Sequence, residues 1–422
     1  MTMRRILFAG IGVAVLLAAA LLALVALNLR GEDELPAAPV AFEATPALVE
    51  RGRYLALAGN CAGCHTARGG AAYAGGPGID TPFGTVYASN LSPHKDAGIG
   101  GWSAAHFWRA MHNGRSRDGR LLYPAFPYPN FTRVTREDSD AIYAYLRTVP
   151  PAATPNAAHR LRFPYNTQAA LAVWRALSFT PGSFEADPTR PAEWIRGAYL
   201  VDGLGHCIAC HGTRNVLGAT QDRLGLSGGP VENWYAPSLT SKREAGVSDW
   251  STADVAALLK TGTSPWGSVM GPMADVVYSS TQYLNDEDVR AMAVYLKSLP
   301  GQAPAAEPAA LVPRDAGTMA RGARIYDQRC AYCHGDAGQG APGAYPALAG
   351  NRAVNMLSTV NLVQVLRRGG FLPATAGNPR PYGMPPFGHV LDDNDIAAVL
   401  TYVRASWGND APPVARGAIM RP

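Results

Sequence analysis

Charge is sparse in this chain of 422 residues: Asp, Glu, Lys and Arg together make up 16%. Lys and Arg are scattered and form no basic stripe, which argues against a nucleic-acid partner. No phosphate-binding loop and no dinucleotide-binding glycine fingerprint is present, so nothing points to a nucleotide cofactor. Cysteine is rarer still. There are six, all inside three short motifs, so none remains for a disulfide framework. Low-complexity sequence is absent too, although Gly (45) and Pro (34) are abundant enough to imply many small loops. A hydrophobic content of 47% excludes a disordered chain, and the length suits two to four domains.

What is present is concentrated in those cysteines. They fall as Cys61-Ala-Gly-Cys64-His65, Cys207-Ile-Ala-Cys210-His211 and Cys330-Ala-Tyr-Cys333-His334. Cys-x-x-Cys-His is the attachment motif of c-type haem. Two thiols add across the haem vinyl groups, and the adjacent His ligates the iron from the proximal side. A thioredoxin-like redox pair or half a zinc site would share the Cys-x-x-Cys spacing, but not a His after each pair with no further Cys to complete a zinc site. Three covalently bound haem c groups are therefore expected. Their propionates offset the formal charge of +5.

The N-terminus carries the one long apolar run. Arg4 and Arg5 precede 22 uncharged residues from Ile6 to Leu27. At about 1.5 Å per residue the run spans about 33 Å, enough for a hydrocarbon core of about 30 Å. It exceeds the usual core of a signal peptide, and no convincing cleavage site follows. Residues 1–30 are expected to be a membrane anchor, or else a cleaved signal. Arg4 and Arg5 stay in the cytoplasm by the positive-inside rule, so the haem segments lie outside.

The rest of the chain repeats itself. Arg51-Gly52, Arg196-Gly197 and Arg321-Gly322 open a helical segment before each haem motif. A second amphipathic segment follows each motif: Trp102 to Gly114, Trp250 to Gly262 and Asn361 to Gly369. A third closes each unit at 134–150, 284–300 and 391–407, with an acidic or hydroxyl start suited to an N-cap and apolar residues at helical spacing. Tyr145, Tyr295 and Tyr402 hold the same place in the three copies, where glycine lets the first and last helices cross closely. The fold expected is all-α: three tandem cytochrome c-like haem domains after an N-terminal transmembrane helix. The domains are 45–150, 193–300 and 317–409. Residues 151–192 form a linker whose segment 169–179 is a candidate interfacial helix, 301–316 a Pro/Ala linker, and 410–422 a tail.

Electron-transfer haems of this kind usually take a Met sulfur as sixth ligand. Met273 lies 62 residues after His211, and Met384 lies 50 after His334. In the first unit the matching place, 61 residues after His65, holds Phe126, which cannot ligate iron. Met111, His112 and His94 are the remaining candidates there. Met111 reads better as a core residue, His112 as a solvent-facing one, and His94 as a loop residue. Gly225-Leu226-Ser227-Gly228-Gly229 formally matches a hydrolase nucleophile elbow, but it aligns with Ala74-Gly75-Gly76 of the first unit and reads as a haem-flanking loop.

The run Thr81-Pro82-Phe83-Gly84-Thr85-Val86-Tyr87, together with Leu121-Leu122-Tyr123-Pro124-Ala125, Gly203-Leu204-Gly205-His206-Cys207, Ser279-Ser280-Thr281-Gln282-Tyr283-Leu284 and Ser406-Trp407-Gly408-Asn409, makes the chain recognisable. It resembles the membrane-bound three-haem cytochrome c subunits of bacterial periplasmic dehydrogenases, of pyrroloquinoline quinone, flavin or molybdenum hydroxylase type. The resemblance implies electron transfer from a catalytic subunit to membrane ubiquinone, with the haem domains on the periplasmic side of the inner membrane and catalysis on the partner. It carries over attachment at Cys61, Cys64, Cys207, Cys210, Cys330 and Cys333, proximal ligation by His65, His211 and His334, and distal ligation by Met273 and Met384. Phe126 departs from the alcohol dehydrogenase pattern. The run Pro124-Ala125-Phe126-Pro127-Tyr128 looks more like subunits that accompany molybdenum hydroxylases. A haem enzyme using an open first haem (a peroxidase or small-ligand reductase) and a free-standing haem relay are the competing readings.

Overall fold

The structure is a computed structural model, and it describes residues 3–36, 42–221, 225–301 and 314–419. The Pro/Ala linker falls almost wholly outside the described residues. The chain forms two compact units, one of residues 1–55, 64–185 and 216–219, the other of 56–63, 186–215 and 220–422.

In the first unit the apolar run forms one helix, Met3–Leu29. Of Phe8–Leu29 only Asn28 is buried, an exposure that suits a membrane anchor or a signal helix. The segment just past it is tied into the unit. The Asn28 amide donates to the Ala172 carbonyl at 3.0 Å, on the helix Gln168–Ser178. Asn113 donates to the Gly31 carbonyl at 2.8 Å, and Glu32 faces Arg115 at 2.8 Å and Arg109 at 3.7 Å. Arg175, wholly buried, donates to the Asn113 carbonyl and stacks 4.5 Å over the Phe179 ring. The candidate interfacial helix therefore buries an arginine against the first unit, while Val173 and Leu177 stay exposed.

The opening, middle and closing helices of the first unit are Pro46–Ala58, Ala104–Asn113 and Arg136–Leu146. In the second unit the corresponding sets are Ala192–Ala198, Thr252–Thr261 and Asp286–Ser298, then Ala316–Arg329, Val360–Arg368 and Asp393–Val403. Thr135, Asn285 and Asp392 cap the closing helices, each accepting from the N3 backbone N–H. The same crossing recurs three times. A Cβ at Gly52 would overlap the Ala141 carbonyl and sit 2.9 Å from Tyr145 Cβ. At Gly197 the neighbours are Ala291 and Tyr295, at Gly322 Ala398 and Tyr402. The arginine before each glycine reaches the N3 aspartate of the closing helix: Arg51 to Asp138 at 2.8 Å, Arg196 to Asp288 at 2.7 Å, Arg321 to Asp395 at 2.8 Å. Sequence patterning found the glycine and missed its arginine's partner.

The expectation of an all-α fold is amended. The architecture is not purely helical, because the Gly/Pro-rich loops pair into short ladders. These are a three-stranded sheet of 78–81, 84–87 and 160–161, and two-stranded hairpins at 229–236, 263–268 and 370–384. A few backbone bonds hold each loop where no helix can run through Gly and Pro. The tail is packed as well. Ala411, Val414 and Ile419 are buried, and the last two join Tyr326, Ile396, Val399, Leu400 and Val403 in one core.

Candidate functional site

Each attachment motif ends in a short helix: Cys61–His65, Ile208–His211 and Ala331–His334. The backbone carbonyl of each motif histidine accepts an N–H from a glycine at the same distance, 2.8 Å, from Gly75, Gly228 and Gly340. All three glycines are left-handed, with φ of 74°, 81° and 65°, a conformation that costs other residues about 1–2 kcal/mol. Gly228 belongs to the elbow-like run, so its conformation serves the turn at His211.

The three histidine rings share one orientation. Nδ1 of His65 lies 2.6 Å from the Ser89 carbonyl, that of His211 2.7 Å from Pro237, and that of His334 3.0 Å from Pro346. Donation from Nδ1–H fixes the tautomer that leaves the Nε2 lone pair available to a metal. Burial pushes all three imidazoles below their ordinary pKa, partly offset by the carbonyl, so they are neutral and fit to ligate.

Burial pushes Cys207 up to about 12 and Cys330 up to about 11. For these two cysteines the direction is opposite to that of reactive redox cysteines, whose values are depressed. Among the described residues no group of three or more His, Cys, Asp and Glu is arranged to hold a metal ion. A cysteine pair beside an oriented neutral histidine fits covalent haem c.

The distal loops can be compared through one hydrogen bond. Leu122 N–H donates to the Gly114 carbonyl at 2.8 Å, and Val269 N–H donates to the Gly262 carbonyl at 2.9 Å. Both glycines are left-handed ends of a middle helix. Four residues further on stand Phe126 and Met273, in the same frame. Met273 packs against Val269, Ala274 and Val277. Phe126 instead packs in an aromatic group with Phe131 (5.4 Å) and Tyr128 (6.4 Å). Met384 lies elsewhere in its loop, paired in the ladder with Gly370 and half-buried against the core near Tyr326.

Of the other candidates, Met111 is buried in its middle helix. His112 is not solvent-facing as expected. It is 8% exposed and stacks 4.4 Å from Trp108, because the helix turns it toward the docked segment after Leu29. His94 uses Nδ1 to accept the N–H groups of Asp96 and Ala97 at 3.3 and 3.1 Å, which organises its own loop.

These features define a protein of the cytochrome c class. A family model of cytochrome c matches residues 49–150 and 196–300, and a model of cbb3-type cytochrome c oxidase subunit III matches 317–403. Cytochrome c domains imply covalently bound haem c. The chain is 40% identical to the cytochrome c subunit of the quinone alcohol dehydrogenase of Gluconacetobacter polyoxogenes, over 88% of this chain and 82% of that protein. It is 36% identical to the gluconate 2-dehydrogenase cytochrome c subunit of Pantoea cypripedii, over 87% and 88%. It is also 43% identical to a nicotinate dehydrogenase subunit of Pseudomonas putida, over 87% of this chain but 31% of that protein. The chain belongs to the family of cytochrome c subunits of quinone-linked dehydrogenases, and its work is electron transfer by haem c.

Proposed function

We propose that residues 45–150, 193–300 and 317–409 are three tandem cytochrome c domains carrying three haems, which pass electrons from a dehydrogenase catalytic subunit to membrane ubiquinone. The observation that carries this reading is the threefold recurrence of one arrangement: a Cys-x-x-Cys pair, a motif histidine whose Nδ1 donates to a loop carbonyl, and a left-handed glycine bonded to its backbone. Cys61 and Cys64, Cys207 and Cys210, and Cys330 and Cys333 hold the three groups. His65, His211 and His334 would each ligate an iron, and Met273 and Met384 would supply the sixth ligand of the second and third. When bound, the haems supply one-electron redox chemistry. The protein's contribution is to orient each imidazole through Ser89, Pro237 and Pro346, and to choose the sixth ligand. A thioether favours the reduced state, so the second and third sites are the higher in potential. Phe126 leaves the first without that ligand.

Residues 1–30 act as a permanent anchor, with the haem domains on the periplasmic face. The ties of Asn28, Gly31 and Glu32 into the first unit support retention of the helix. Val173 and Leu177 add an apolar surface suited to the membrane interface. The partner is of the pyrroloquinoline quinone, flavin or molybdenum hydroxylase type, and the run Pro124 to Tyr128 favours the last. Affinity purification of this chain from its own cells tests the reading: a large dehydrogenase subunit should accompany it, and the complex should reduce a ubiquinone analogue. Reduction of soluble cytochromes alone, with the analogue untouched, rules out the quinone step.

A further inference from the structure

The stretch 56–63, which carries the first thiol, belongs to the same compact unit as the second attachment segment. The two are joined there. Nε2 of His206 lies 3.3 Å from the Gly59 carbonyl. A Cβ at Gly59 would come within 3.2 Å of Leu204 Cδ1 and 3.4 Å of Cys61 Sγ, so the backbone of one segment rests on the side chain of the other. Leu204 is fully buried. The contact is reinforced on both sides of Gly59: Ser279 Oγ donates to Asn60 Oδ1 at 2.7 Å, and Ser280 Oγ donates to the Ala58 carbonyl at 3.4 Å.

The backbone is bent to make this contact. Asn60 and His206 each stand immediately before the first cysteine of their motif, and both are left-handed, with φ of 49° and 39°. Such conformations in non-glycine residues cost about 1 kcal/mol or more and persist where surrounding structure holds them. His206 is delivered by a π-helical stretch, Tyr199–Leu204, whose wider turn lets Cys207 N–H reach the Val201 carbonyl at 3.3 Å. Single π turns concentrate at functional sites. The third motif has no such device, since Arg329 before Cys330 ends an ordinary helix.

We infer that His206 is a positioning residue for electron exchange between the first and second haems, an inference that rests on the haem reading above. The route it closes runs from Cys61 through Asn60 to the Gly59 carbonyl, across the hydrogen bond to the His206 ring, and on to Cys207. One electron leaves the ferrous iron of one haem and arrives at the ferric iron of the other; no bond is made or broken and no proton moves. The hydrogen bond replaces a through-space gap and keeps both attachment segments in register, so exchange at this junction is faster than packing alone allows.

The test uses the full chain in detergent, with haem content checked by intact mass. After pulse reduction, the relaxation between the first and second haems is followed by their separate absorption changes. His206→Phe, which keeps the ring and removes the donor, should slow this relaxation several-fold with the midpoint potentials unchanged. His206→Gln, whose amide can still donate to Gly59, should recover most of the rate. If His206→Phe impairs attachment at Cys207, Gly59→Ala serves instead: its methyl presses on Leu204, lengthens the hydrogen bond and should also slow relaxation. Wild-type relaxation in a fully loaded His206→Phe or Gly59→Ala protein overturns the inference. Fewer than three haems in the wild-type protein counts against the haem reading itself, and so the two failures are told apart.

Discussion

Replacing Gly197 by alanine perturbs the helix crossing that holds each attachment segment against its closing helix. The added methyl overlaps the Ala291 carbonyl and lies 2.8 Å from Tyr295 Cβ. Neither neighbour can rotate away, because one is helix backbone and the other is the first atom of a buried side chain. Overpacking of this kind costs about 1–3 kcal/mol, and the rigid neighbours put it at the upper end. Alanine's better helix propensity returns about 1 kcal/mol. The net loss is about 2 kcal/mol, which for a compact unit of about 240 residues lowers its melting transition by roughly 6 °C. Circular dichroism and Soret absorption, followed together on heating, measure it. Gly417→Ala is the matched control, since that glycine has nothing within 4 Å of an added Cβ. It should melt at or slightly above the wild-type temperature. If Gly197→Ala melts with the wild-type protein, the crossing is looser than its geometry implies and the argument fails.

Four further outcomes are expected. Intact mass spectrometry should find three haem additions, and Cys207→Ala combined with Cys210→Ala should remove one of them; a wild-type mass with two would refute the count. Phe126→Met should raise the potential of the first haem and suppress its binding of carbon monoxide, whereas His94→Ala should leave the EPR spectrum unaltered, because its Nδ1 accepts backbone N–H groups and the ring proton of the neutral imidazole is then on Nε2, the nitrogen a metal would need. Glu32→Ala leaves Arg109 and Arg115 facing each other with little solvent, at a cost of about 3 kcal/mol read by denaturant unfolding; a loss near zero would mean that the helix end is not docked. The Arg352 guanidinium holds the Asp249 carboxyl below its ordinary pKa. That contact therefore contributes stability above the unfolded carboxylate range and loses it as pH falls through the lowered folded value. Asp249→Asn should flatten this part of the acid titration, and an unchanged acid limb would show that the pair contributes nothing.

The sequence alone determined the chemistry, because covalent attachment needs particular atoms at fixed spacing. Three Cys-x-x-Cys-His motifs name the haem without any fold, and hydropathy over Ile6 to Leu27 marks a helix long enough to cross a membrane. The helices were legible from caps and period, down to the glycines at 52, 197 and 322, since these signals are local. Tertiary structure decided what depends on residues distant in the chain. Which carbonyl orients each histidine was invisible in sequence, because any backbone carbonyl can accept and the identities of Ser89, Pro237 and Pro346 carry no signal. The burial of His112 and Arg175 depended on where the end of the N-terminal helix docks, which no periodicity records. The tail carries no pattern of its own, yet Val414 and Ile419 enter a core built from distant helices. His206 stood in a recognised run beside Cys207, yet its reach to Gly59, 147 positions earlier, exists only because the fold bends both backbones into left-handed turns.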